Sequence, residues 1–226
     1  NAPLIVFEDA DLERAASGVP GSVFDNAGQD CCARSRVLVQ RSIYDRFLEL
    51  LEPAVAAWRV GDPTRDDVDM GPLVNRVGRD KVATMVERAR ADGAQIVTGG
   101  RVVESKGWHY EPTLITNCTA DMEIMRKEIF GPVLPVQIVD DVEEAIALAN
   151  DSEYGLTSSI FTRDINSAMR AVRDLKFGET YINREHFEAM QGFHAGWKKS
   201  GIGGADGKHG LEEYLQTQVV YLETNI

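Results

Sequence analysis

At 226 residues, 43% hydrophobic and 27% charged, the sequence is long enough for one large globular domain with a full core, and its composition is neither disordered nor fibrous. The 36 acidic and 24 basic residues give a formal charge of -12, and no stretch gathers the Lys and Arg that a phosphate backbone or an anionic membrane needs, so neither nucleic acid nor membrane is an expected partner. No apolar run approaches the roughly 20 residues of a membrane span, and three cysteines, two of them adjacent, make no disulfide framework, which points to a reducing cytoplasm.

Strand-like runs follow one another along the chain. LIVFE begins at Leu4, and a turn-forming stretch, FDNAGQDCCARSR from Phe24 to Arg36, presents Cys31 ahead of a second run, RVLVQ at Arg36 to Gln40. Ser42 to Trp58 predicts a helix that Pro53 should kink or end. QIVTGG at Gln95 and VLPVQIV at Val133 come next. Val142, Ala145, Ile146 and Ala149 recur at helical spacing behind the caps Asp140 and Asp141; Ile165, Met169 and Val172 do so behind Asp164. Between and after these helices lie LTSSIFT at Leu156 and ETYIN at Glu179. Strands alternating with helices predict an α/β sheet, with both helices lying on it and their stripes serving as core.

From Phe187 to Lys208 the pattern gives way to a long glycine-rich segment, in which Phe193 and Trp197 favour an ordered loop over disorder. GIGGADG at Gly201 to Gly207 has glycines but lacks the strand-to-helix setting of a dinucleotide fingerprint. QTQVVYLE at Gln216 to Glu223 alternates, and fits either an edge strand of the chain's own sheet or a strand that pairs with another segment or subunit.

The chemistry-bearing residue is Cys31. A thiolate at a strand entrance can attack a carbonyl carbon, and a neighbouring backbone N–H would stabilise the resulting oxyanion; the alternative is an inert buried cysteine. Cys32 should point away from Cys31, as a small residue packed behind it. No metal site is expected.

The run F-x-x-x-G-Q-x-C-C-A-x-S at Phe24 to Ser35 resembles the active-cysteine signature of the aldehyde dehydrogenase superfamily. KEIFGPVLPV at Lys127 to Val136 is similar to its cofactor-facing motif, and GWKKSGIGG at Gly196 to Gly204 to its C-terminal loop, so the likeness covers essentially the whole chain. The resemblance implies a mostly parallel open sheet with helices on both faces. It implies Cys31 as nucleophile, its own amide as an oxyanion donor, Glu128 on a nicotinamide ribose, Phe130 beside the nicotinamide ring, and NAD or NADP as cofactor. Without it, Glu128 would read as a surface charge, Phe130 as a core aromatic and Asn183 as a turn residue; with it, Asn183 matches an asparagine beside the active site.

In the family, the deacylating glutamate and the dinucleotide-binding domain lie ahead of the segment matching Asn1. The resemblance therefore implies a cysteine-bearing catalytic domain at residues 1–213, an oligomerisation strand at 214–226 and no NAD-binding domain in this chain. The stretch from Phe177 onward is most similar to members that oxidise short 2-hydroxyaldehydes such as lactaldehyde and glycolaldehyde, which places Glu188 and His194 at the substrate entrance, where both can hydrogen-bond hydroxyls. The expected partners are a small-molecule aldehyde and further copies of the chain. Two alternatives stay open: a non-catalytic or oligomerisation fragment, and acyl transfer to coenzyme A.

Overall fold

The computed structural model describes residues 1–184 and 187–225. Seven strands form the main sheet: β1 (Pro3–Val6), β2 (Arg36–Gln40), β3 (Gln95–Thr98), β4 (Thr113–Thr116), β5 (Val133–Val139), β6 (Thr157–Phe161) and β7 (Glu179–Ile182), in the order β3-β4-β5-β2-β1-β6-β7. Only β3 runs antiparallel to its neighbour, β4. In the centre, Ile5 of β1 lies level with Leu38 of β2 and Ile160 of β6. Successive residues of a strand face opposite sides, and Leu4, Ile5 and Val6 are all buried, so both faces of the sheet are covered. Such strands read as unbroken apolar runs, which is why six of them stand out in the sequence. β4, TLIT, is the one strand that does not stand out.

The helices are α1 (Leu12–Phe24), α2 (Tyr44–Ala56), α3 (Arg76–Ala91), α4 (Glu123–Arg126), α5 (Val142–Asn150), α6 (Ile165–Asp174) and α7 (Gly207–Glu212). α1 packs on α2, α2 on β2, β3 and β4, α5 on β5 and α6, and α6 on β7. Asp141 and Asp164 cap α5 and α6 as expected, each side chain accepting from first-turn amides. α2 runs through Pro53 and ends at Ala56. No described helix is long and apolar enough to cross a membrane.

Two expectations need correction. The stripe of α6 faces outward: Ile165, Met169 and Val172 are exposed, while Ala168, Ala171 and the following Leu175 are buried. Alanines let the helix axis approach its neighbours closely, so the small face is the one that fits. Gln216 to Glu223 is no strand of the chain's own sheet; it has no assigned secondary structure, and Val219, Val220, Tyr221 and Leu222 are exposed. The glycine-rich segment is ordered, as its aromatics suggested. It forms a two-stranded ribbon, β8 (His194–Ala195) with β9 (Gly204–Ala205), and the Phe193 and His209 rings meet edge to face at 5.2 Å.

Candidate active site

The cysteine loop is fixed before the cysteine is reached. After α1, Asn26, Ala27 and Gly28 adopt left-handed backbone with φ of 51°, 56° and 70°. Asn26 Nδ2 donates to the Gln29 carbonyl at 2.8 Å, Gln29 Nε2 donates back to the Asn26 carbonyl at 3.1 Å, and Gln29 Oε1 accepts from the Val74 amide at 2.9 Å. At Gly28 a Cβ would stand 2.1 Å from the Gly131 oxygen, so only glycine lets this loop close onto the Gly131–Pro132 turn. The Gly-Gln pair thus docks the cysteine segment against the segment that carries Glu128 and Phe130.

Beyond the turn, Asp30 Oδ1 accepts from the Cys32 amide at 2.8 Å. Arg34 anchors the other side. Its guanidinium is buried and donates to the Cys32 carbonyl (2.5 Å), Thr157 Oγ1 (2.7 Å) and Ser159 Oγ (2.5 Å), and it lies 5.0 Å from the Tyr181 ring centre. Burial pulls its pKa down to about 10, still charged at neutral pH. Cys31 is exposed and Cys32 buried.

Cys31 opens onto a cavity of about 210 Å³ at the amino edge of the parallel strands, lined also by Ala2, Glu128, Leu156, Phe177, Lys199 and Ser200. All three sequence motifs meet there. Glu153 joins two of them, accepting from Lys127 Nζ at 3.1 Å and Lys199 Nζ at 2.5 Å; the hydrogen bond from Lys199, then that from Lys127, holds its carboxyl well below the usual range, at about 2. Ser200 Oγ accepts from the Gly155 amide at 2.9 Å, pinning the same loop to the cavity wall. Glu128 keeps its carboxylate partly exposed at the mouth, while Lys81 Nζ donates to its backbone oxygen at 2.9 Å. Phe130 is no core aromatic: with φ of 56° its ring stands 42% exposed, an apolar face turned outward beside Glu128.

The structure brings His194 to the cysteines. One donor atom each from Cys31, Cys32 and His194 lie within 4.8 Å of one another. His194 Nδ1 is held by Glu179 Oε1 at 2.6 Å, and Tyr181 donates its hydroxyl to the other oxygen of Glu179. Cys32 does not turn away from Cys31 as expected, since both sit in a turn where strand alternation does not apply. Burial first, then the neighbouring Cys31, raises the pKa of the Cys32 thiol well above the ordinary cysteine range.

The other two expected substrate residues lie elsewhere. Glu188 lines an adjoining depression with Glu179, Tyr181, Arg184 and Phe193. Asn183 lies at the carboxyl end of β7, whereas Cys31 and its cavity lie at the amino ends of the strands. Its amide is fully engaged by one residue, Oδ1 accepting from the Thr162 amide at 2.9 Å and Nδ2 donating to the Thr162 carbonyl at 2.7 Å. It is the turn residue of the alternative reading, with φ of 53°, and it closes β7 onto β6. Glu179, which sequence reasoning missed, carries no motif; only the fold sets the start of β7 beside the distant cysteine pair.

The aldehyde dehydrogenase family model matches residues 1–220. Lactaldehyde dehydrogenase of Escherichia coli (strain K12) is 57% identical over 99% of this chain, and its crystal structure superposes with a TM-score of 0.97. A 3,6-anhydro-L-galactose dehydrogenase solved in complex with NADP is 45% identical over 95% of the chain with a TM-score of 0.93. A betaine aldehyde dehydrogenase from Staphylococcus aureus, solved in complex with NAD+, is 39% identical over 99% of the chain with a TM-score of 0.91. The chain spans about half the length of these relatives: 47%, 46% and 47% of each. With this fold, a cysteine at the meeting point of three motifs, and matches along nearly its full length, the chain belongs to the aldehyde dehydrogenase family.

Proposed function

We propose that this chain supplies the nucleophile-bearing half of an NAD(P)-dependent aldehyde dehydrogenase that oxidises short 2-hydroxyaldehydes to carboxylates. The observation that carries the reading is Cys31, exposed on a cavity whose walls come from the cysteine loop, the Lys127–Val136 motif and the Gly196–Gly204 loop. The thiolate of Cys31 adds to the aldehyde carbon, and the Cys31 amide donates to the oxygen of the thiohemiacetal. NAD(P), when bound, supplies the hydride acceptor. Glu128, a carboxylate able to accept from both vicinal hydroxyls, suits a ribose at the cavity mouth, and the outward ring of Phe130 suits a nicotinamide. Hydrolysis of the thioester needs a base, which the family carries in the segment ahead of that matching Asn1.

His194, beside the cysteines, would hydrogen-bond a substrate 2-hydroxyl in this reading, with Glu188 in the adjoining depression. A reducing compartment such as the cytoplasm keeps Cys31 and Cys32 as thiols, as this chemistry requires. The exposed apolar run Gln216 to Glu223 suits pairing with a second copy of the chain. Light scattering tests that part: a chain ending at Glu213 should lose mass in solution, and an unchanged mass refutes it.

Alkylation tests the nucleophile. Reagent should label Cys31 first, because Cys32 and Cys118 are buried and burial pushes the pKa of the Cys118 thiol up to about 12. Equal labelling of all three cysteines would instead favour a non-catalytic piece. By itself the chain should cleave activated esters slowly, yet show no tight NAD binding by calorimetry, since thiolate attack needs only the nucleophile and part of an oxyanion hole. In a longer form that includes the cofactor domain, His194→Ala should raise KM for glycolaldehyde or lactaldehyde more than for propanal.

A further inference from the structure

The cysteine pair and His194 have a second chemistry open to them. Two sulfurs and an imidazole nitrogen gathered within 4.8 Å, with Cys31 exposed, Cys32 buried and His194 half-buried, form a soft donor set reached from the surface at Cys31. Around tetrahedral zinc, thiolates at about 2.3 Å and an imidazole at about 2.0–2.1 Å place donor atoms about 3.5–3.8 Å apart. Closing the observed separations to that size takes movements of about 1 Å, within reach of side-chain rotation at an exposed cysteine.

The histidine is also prepared as a metal ligand is. Glu179 holds Nδ1 at 2.6 Å, which fixes the ring and makes Nε2 the nitrogen available to a metal. A carboxylate behind an imidazole is the usual outer partner of a zinc-binding histidine. Tyr181, donating to the second oxygen of Glu179, holds that carboxylate in turn.

We propose that Cys31, Cys32 and His194 form a three-ligand site for a thiophilic divalent cation of the zinc type, with Glu179 as its outer support and the fourth position open to solvent. Each thiol gives its proton to solvent as it ligates, and the bound cation takes Cys31 out of reach of an electrophile. Occupancy therefore blocks the nucleophile reversibly. The site requires no hydride acceptor and no second domain, so it stands or falls apart from the proposed oxidation.

Calorimetry of the full 226-residue chain with zinc chloride, paired with alkylation of Cys31, tests it. One zinc per chain should bind, protect Cys31 from alkylation, and come off with a chelator. Cys32→Ala and His194→Ala should each weaken binding more than tenfold; Glu179→Gln, which leaves all three donors in place, should weaken it about 10- to 100-fold. Cys118→Ser should change nothing. Cys32→Ser and His194→Gln conserve volume and serve where the alanine variants fail to fold, folding being checked by the melting transition without metal. Zinc binding that survives both Cys32 and His194 substitutions, or that leaves Cys31 open to alkylation, would overturn the proposal.

Discussion

The cysteine loop and the last thirty or so residues of the chain are built on opposite terms. At the loop, left-handed backbone, a glycine pressed on a carbonyl and a buried arginine leave the backbone around Cys31 little positional freedom. In the C-terminal stretch, apart from the short ribbon and α7, the chain presents Ile202, Tyr214, Leu215, Val220 and Tyr221 to solvent. Attack on a carbonyl needs reacting atoms held at fixed distance, and rigid surroundings supply that. The C-terminal stretch instead leaves large apolar side chains on the surface.

Paired glycine substitutions should expose this contrast most strongly. Gly28→Ala puts a methyl group against the Gly131 carbonyl at a φ of 70°, and should destabilise the chain by about 2–4 kcal/mol in a urea titration, with slower alkylation of Cys31. An effect below 1 kcal/mol by that titration would show that the loop yields, about what an unstrained surface change costs.

A pH titration sharpens the comparison at the seam between the regions, where Glu153 ties the C-terminal Lys199 to Lys127. The Glu153 carboxyl sits at about 2, below its ordinary 4.5, so its contribution is complete above the ordinary value and fades as pH falls toward 2. Glu153→Gln should flatten the acid limb of the stability profile in that window, modestly and less in high salt, since both ion pairs are largely exposed. An unchanged acid limb would mean the tie does not bear on folding. The smallest effect is expected at Gly203, where an added Cβ meets nothing within 4 Å: Gly203→Ala should stay within about 0.5 kcal/mol.

The same division governs how much the sequence discloses. Buried parallel strands must be apolar on both faces, so β2 and β5 are legible to the residue as RVLVQ and VLPVQIV. Cys31 and Glu128, from two separate motifs, do line one cavity, because Gly28 closes the cysteine loop onto the Gly131–Pro132 turn. What escapes depends on three-dimensional neighbours. The spacing of Ile165, Met169 and Val172 is helical, yet which face turns inward is decided by the bulk that β7 and α5 can admit. Asn183 shares a strand with the site but stands at its far end. Glu179 and His194 meet only because the ribbon folds back on β7, and the turn at Cys31 overrides the alternation that would have sent Cys32 away.

Arg34 has a consequence for the order in which the protein is made. Its anchors, Thr157 and Ser159, lie 123 and 125 residues further along the chain. On the ribosome the cysteine loop emerges long before its ties exist, at a synthesis rate of about 5–20 residues per second. For several seconds both thiols therefore travel on a segment that lacks its Arg34 anchors, and the loop acquires them only when β6 pairs beside β1. The Cys31 loop is thus completed only once the chain more than a hundred residues beyond it has been made.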